Sequence, residues 1–167
     1  MAEQDEHRRY MQLALAEAKK STPKPTNFCV GAVLIYPTNP PTVTTGYTLE
    51  LEGNTHAEQC CFLKALPSSQ DRLPANSVLY TTIEPCNKRS PGNKPCVDRI
   101  LELKDAEGRQ AITSVYVGVL EPETFVGINE GRKRLEDAGI KVLRVEGWEE
   151  EILRVATAGH IKEDGNG

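Results

Sequence analysis

Two short segments of the 167-residue chain hold residues whose types and spacing can do chemistry. His56-Ala57-Glu58 opens a stretch of helix formers. Glu84-Pro85-Cys86 follows a β-branched run, and Cys96 opens the next helical stretch. One imidazole and two thiolates are three soft or borderline donors, a set that suits zinc with a fourth position open for water. His56 and Cys96 both fall at helix N-termini, where the positive end of the helix dipole favours a thiolate or a bound anion. Glu58, two residues past His56, falls beside such a metal without binding it, where a proton shuttle must stand. Each piece alone also has an ordinary reading, as a helix-capping surface pair or as packing cysteines. A closed structural zinc site would need a fourth protein ligand. His7 and His160 are terminal, and Cys29, Cys60 and Cys61 lie in apolar contexts, so the set favours an open catalytic zinc, one per chain.

The elements that must position these residues follow from periodicity. Residues 5–20 read as an amphipathic opening helix with Tyr10, Leu13, Ala14 and Ala18 on one face. Cys29–Tyr36 is a continuous apolar run, a buried strand, and Val43–Tyr47 pairs with it across the proline-rich turn at 37–41. His56–Leu66 reads as a helix with Ala57, Cys61 and Leu63–Leu66 available for its core face. Val78–Ile83 is a strand that runs directly into Glu84-Pro85-Cys86. The spacing then predicts a helix over Cys96–Lys104, a strand over Ile112–Leu120, a helix over Glu130–Asp137 stopped at Gly139, a strand over Ile140–Val145 and a helix over Glu149–Ala158. Strands alternating with helices after an opening hairpin predict an α/β protein: a three-layer α/β/α sandwich over a mixed sheet of about five strands. The expected organisation is a single domain over 1–167, with a core from about 8 to 160 and a frayed tail at 161–167.

Composition narrows the partners. The balance of 20 Lys+Arg against 24 Asp+Glu leaves a net charge of -4, and aromatic residues make up 5% of the chain. Phosphate-backbone binding calls for a basic surplus and base stacking for aromatic platforms, so nucleic acid is not the expected partner. No run of apolar residues is long enough to span a membrane. The N-terminus has no apolar signal core, and five cysteines are an odd number for a disulfide framework, so the expected compartment is the cytoplasm, with the nucleus as an alternative.

His-Ala-Glu followed by Pro-Cys and a second cysteine resembles the signature of the zinc nucleobase deaminases, the cytidine deaminase-like superfamily. The usual spacing between the two cysteines is two residues; here Asn87–Pro95, nine residues, separate them. A lengthened loop ending in Pro-Cys resembles the pyrimidine deaminases of riboflavin biosynthesis. Asn27-Phe28-Cys29-Val30-Gly31-Ala32-Val33, Leu79–Cys86 and the Gly127–Ile140 segment are similar to strands and a closing helix of that family, so the resemblance covers roughly residues 10 to 145. Bacterial members carry a reductase domain after the deaminase, and this chain ends too soon for one. They usually have His just after the first loop cysteine, where the nearest residues here are Lys88 and Arg89. Gly46–Thr55 is closer to the fungal form.

The resemblance implies hydrolytic deamination of 2,5-diamino-6-ribitylamino-4(3H)-pyrimidinone 5′-phosphate, with ammonia release and a likeness to enzymes that act on the ribityl compound. Zinc on His56, Cys86 and Cys96 would make hydroxide available near neutral pH, with Glu58 as base and then acid. The resemblance also suggests that Asn27, otherwise a turn-forming residue, contacts the substrate. The main chain of Thr82–Glu84, which leads straight into a metal ligand, is expected to offer hydrogen bonds to the pyrimidine edge, with Glu84 itself also read as a residue that fixes the turn. Lys88, Arg89 and Lys94 form a basic cluster within an acidic protein, suited to a 5′-phosphate. Arg132, Lys133 and Arg134 read as a solvated helix face. The superfamily implies a homodimer. Three alternatives stay open: a deaminase of the ribosyl form or another nucleobase or nucleoside, a tRNA deaminase, and a zinc-stabilised partner subunit without catalysis.

Overall fold

The computed structural model of the chain describes residues 2–66, 68, 72–87, 93–120 and 130–160. One helix, α1 (Ala2–Ala18), precedes a sheet in the order β2-β1-β3-β4-β5. The strands are β1 (Gly31–Tyr36), β2 (Thr42–Tyr47), β3 (Ser77–Ile83), β4 (Ile112–Val119) and β5 (Lys141–Arg144). The remaining helices are α2 (Ala57–Ala65), α3 (Cys96–Glu102), α4 (Glu130–Asp137) and α5 (Glu149–Ala156). Each expected element is present, with ends displaced by a few residues.

The sheet is mixed. The β1–β2 hairpin is antiparallel, and β1 is also antiparallel to β3, whereas β3, β4 and β5 run parallel. Two strands flanking β1 in opposite senses to it are parallel to each other, so α2 serves as the crossover from β2 to β3. The helices α3 and α4 do the same for β3–β4 and β4–β5. Parallel strands need such crossovers, and their helices cover the sheet faces. Central placement explains the continuous apolar run of β1: Ala32, Val33 and Leu34 are fully buried from both sides.

Each face of the sheet has its own core. On one side Leu34, Leu79, Val115 and Val117 pack with Ala57, Cys61, Phe62, Val97, Ile100 and Leu135 of α2, α3 and α4. On the other, Val33, Ile35, Tyr80 and Val119 pack with Met11, Ala14 and Leu15 of α1 and Ile152 of α5. The three-layer arrangement is therefore as the alternation of elements predicts. One position differs. Leu63, expected in the core, is 46% exposed, and Phe62 takes the buried place. On α1, Met11 and Leu15 join Ala14 and Ala18 inside, with Tyr10 and Leu13 partly buried against the same core.

Register brings several chain ends to one end of the sheet. Gly31 pairs with Tyr47, Ala32 with Thr81, and Ile83 with Val119. The start of β1 thus lies beside the finishing ends of β2, β3 and β4, the end at which α/β sheets build their clefts. Gly31 permits this closure at α1, because a Cβ there would stand 1.8 Å from the Ala14 carbonyl oxygen.

Candidate active site

His56 is the N-cap of α2, in extended backbone geometry, and its carbonyl accepts the Cys60 N–H at 3.0 Å. Its own N–H donates to the Gln59 side chain at 3.2 Å, a reciprocal cap that fixes where the imidazole leaves the helix. Cys86 sits three residues beyond β3, and Cys96 is the first residue of α3. The three converge. His56 Nδ1 lies 3.6 Å from Cys86 Sγ and 3.4 Å from Cys96 Sγ. All three donor atoms fall within 4.8 Å of one another. The loop closes on itself here: Val97 N–H donates to the Cys86 carbonyl at 3.0 Å and Cys96 N–H to Cys86 Sγ at 3.3 Å.

This donor set fits zinc. Tetrahedral bonds of about 2.3 Å to sulfur and about 2.0–2.1 Å to nitrogen place N and S roughly 3.6 Å apart. The observed separations of 3.4 and 3.6 Å agree. The chemistry agrees as well. The Cys86 thiol is held well below the ordinary thiol range, first by the hydrogen bond from the Cys96 thiol and then by His56 and the Cys96 N–H, against the opposing effect of burial. A thiolate is the form that binds metal. Among the described residues, His56, Cys86 and Cys96 form the one group of three with metal-binding geometry.

Glu58 is in the first turn of α2, two residues from His56, and is 4% exposed. A carboxyl so enclosed on the ligand-bearing helix has the placement of a proton carrier shielded from bulk water. The neighbouring Cys60 and Cys61 are fully buried, and burial pushes the Cys61 thiol well above its usual range, which suits packing rather than reactivity.

The other expected site residues fall into three groups. Asn27 lies just before β1, on the same sheet end as the three donors, with its carbonyl hydrogen-bonded to His160 Nε2 at 2.8 Å. Thr82 is fully buried, and its hydroxyl accepts the Gly31 N–H at 3.1 Å. Glu84 is buried too: its N–H donates to the Val119 carbonyl at 2.9 Å and its carboxylate receives Arg132 at 2.8 Å. That engagement favours the turn-fixing reading of Glu84. Lys94 is ion-paired with Glu102 at 2.6 Å. Lys88 and Arg89 lie outside the described residues.

The helix face read as solvated needs correction. Lys133 and Arg134 are exposed as read, but Arg132 is half-buried and binds Glu84, and Arg134 from its exposed position reaches Asn87 at 2.8 Å and Asp98 at 2.6 Å. Their partners lie 48, 47 and 36 positions away along the chain, so no local pattern exposes the pairing. His160, set aside as terminal, is likewise engaged beside Asn27 and stacks edge-on against Phe28 at 4.7 Å.

A family model described as the cytidine and deoxycytidylate deaminase zinc-binding region matches residues 4–109. A diaminohydroxyphosphoribosylamino-pyrimidine deaminase of Schizosaccharomyces pombe is 39% identical over 154 residues. That is 92% of this chain, which spans 36% of the length of that curated relative. Among solved structures, a C-terminal deletion mutant of Aspergillus oryzae Rib2 deaminase at pH 4.6 is 45% identical with a TM-score of 0.81, over 95% of both chains. Its complex with DARIPP at pH 6.5 is 43% identical with a TM-score of 0.74, over 95% of this chain and 94% of that one. A deaminase/reductase from Thermotoga maritima, 24% identical with a TM-score of 0.70, covers 92% of this chain and 40% of its own and shares the fold.

Proposed function

The chain belongs to the cytidine and deoxycytidylate deaminase zinc-binding family, and from that premise we propose that it is a zinc-dependent hydrolytic deaminase of riboflavin biosynthesis. The proposed reaction takes 2,5-diamino-6-ribitylamino-4(3H)-pyrimidinone 5′-phosphate and water to 5-amino-6-ribitylamino-2,4-pyrimidinedione 5′-phosphate and ammonia. The observation that carries the reading is the convergence of His56 Nδ1 with two cysteine sulfurs at 3.6 and 3.4 Å, beside an enclosed Glu58. The substrate class is supported by the S. pombe relative and by the DARIPP complex of the A. oryzae enzyme.

His56, Cys86 and Cys96 would hold the metal, with its fourth position left for water. A zinc held there would lower the pKa of its water and so make a nucleophile available near neutral pH. Glu58 takes the water's proton and delivers it to the ring nitrogen beside the amino-bearing carbon. After attack, it moves the remaining hydroxyl proton to the departing amine. One carboxylate serves throughout, because each proton it gives is one it has first taken. Glu58 is buried, so its carboxyl is shielded from bulk water. No redox change occurs, so zinc is the only cofactor required.

Asn27 is proposed to contact the substrate from the adjoining end of β1. The main chain of Thr82–Glu84 is proposed to offer hydrogen bonds to the pyrimidine edge, while the Glu84 carboxylate, held by Arg132, fixes the turn. Lys88, Arg89 and Lys94 are proposed as the 5′-phosphate clamp. Lys94 already pairs with Glu102 in an exposed ion pair, a weak contact that a phosphate can displace. The proposed assembly is a homodimer, after the superfamily, and the proposed compartment is the cytoplasm, in keeping with five free cysteines. No described helix is long and apolar enough to cross a membrane. The unit is proposed as one deaminase domain, since the described elements share a single sheet. Incubating purified protein with the ribityl and ribosyl pyrimidine phosphates, while following ammonia, tests the reading. Release from the ribityl compound is expected; no release from either overturns it.

A further inference from the structure

The chain leaves the β3 ladder at Ile83 and must hold Cys86 in place three residues later. Main-chain bonds from Glu84 to Val119 and from Val97 to Cys86 fix the backbone of that turn. A second set of bonds reaches it from α4. Arg132 donates to both carboxylate oxygens of Glu84, from Nε at 2.8 Å and from Nη2 at 3.4 Å. The Glu84 side chain is 2% exposed and that of Arg132 28%, so the pair is shielded from solvent on the carboxylate side. Arg134 donates through Nη1 to the Asn87 side chain at 2.8 Å, and its Nη2 lies 2.6 Å from Asp98 Oδ1 in an ion pair. Asp98 is on α3, the helix that begins at Cys96.

One helix thus grips the residue two before Cys86, the residue after it, and the helix that carries the second cysteine. We infer that Arg132 and Arg134 are positioning residues for the metal centre, setting the Cys86 sulfur against Cys96 and His56. The inference rests on the zinc reading of those three donors. A planar guanidinium engaging both carboxylate oxygens fixes direction as well as distance, which a single ammonium does not. Groups that orient metal ligands from outside the coordination sphere typically cost 10–100-fold in metal affinity when lost. Arg132 carries the larger share, because its partner is buried. The Arg134 side chain is 44% exposed and its bonds are weakened by water.

Zinc dissociation constants, measured by competition against a chromophoric chelator, test this on wild type, Arg132→Gln, Arg132→Lys and Arg134→Gln. Thermal unfolding of each protein and the spectrum of its cobalt-substituted form are recorded alongside. Arg132→Gln should weaken zinc by about 10–100-fold and shift the thiolate-to-cobalt band. Arg132→Lys should recover only part of the loss, and Arg134→Gln should lose less than Arg132→Gln. A merely structural role would lower the unfolding temperature and leave the cobalt band in place. If Arg132→Gln does not fold, Arg132→Lys and Arg134→Gln read the same contacts. Wild-type affinity and a wild-type cobalt band in the folded variants overturn the inference while leaving the zinc reading intact. Failure of the wild-type chain itself to bind zinc overturns both.

Discussion

Replacing Gly46 with alanine should damage the site without touching any residue in it. Gly46 is in β2, under the first turns of α2, the helix that His56 caps and on which Glu58 sits. A methyl group there would stand 2.4 Å from the Ala57 carbonyl oxygen, 2.9 Å from the Cys61 nitrogen and 3.1 Å from Cys60 Cβ. Two of the three atoms are backbone, so no side chain can swing aside to make room. Ordinary contact begins near 3.4 Å, so α2 must back away by roughly 1 Å, a displacement of the size that costs about 10²-fold in rate when it misplaces catalytic groups. Overpacking of this kind costs about 1–3 kcal/mol in stability. At about 2–4 °C per kcal/mol for a chain of this size, that is a fall in Tm of roughly 2–12 °C. Calorimetry gives the Tm, and ammonia release from the ribityl pyrimidine phosphate gives the rate. A Gly46→Ala protein with wild-type Tm and turnover would refute the claim that close β2–α2 approach sets the position of His56 and Glu58.

Cys96→Ser should empty the metal site and lower the unfolding temperature, because two remaining ligands hold zinc poorly and metal binding contributes to folding; full zinc occupancy by elemental analysis would show the ligand assignment to be wrong. In metal-free protein Cys86 should alkylate readily at pH 6–7, since a thiol held below its ordinary value of about 8.5 keeps its thiolate as pH falls, and added zinc should protect it. Labelling that appears only above pH 8 would contradict the depressed value. His160→Ala should raise KM for the substrate by up to roughly tenfold with zinc retained, reflecting the lost hydrogen bond to the Asn27 carbonyl, and an unchanged KM would remove His160 from the substrate region.

Much of this site is legible before folding because its parts are local. His56, Cys86 and Cys96 are recognisable by residue type, and each sits where a period change marks the end of a strand or the start of a helix. Glu58 follows from its offset to His56 alone. The central strand is equally plain: Ala32 to Leu34 are apolar without alternation because both faces of β1 are covered. The illegible parts depend on distant partners. Arg132-Lys133-Arg134 has the composition of a solvated face, and only the docking of α4 beside Glu84, Asn87 and Asp98 gives two of the three a role. His160 meets Asn27 across 133 positions of sequence. Leu63 fits the apolar spacing of α2, yet packing buries Phe62 and leaves Leu63 exposed. Periodicity identifies a face to about one residue in width, and packing decides within it.

The central claim is that Glu58 moves the protons of a hydrolytic deamination at a zinc held by His56, Cys86 and Cys96. Turnover of the ribityl pyrimidine phosphate by zinc-loaded Glu58→Gln tests it most directly, since the amide keeps the shape of the side chain and loses the proton. Zinc should remain bound at about one ion per chain while ammonia release falls by at least about 10²-fold, the usual scale for a lost general acid–base group. Turnover near wild type in the zinc-loaded variant would contradict the account.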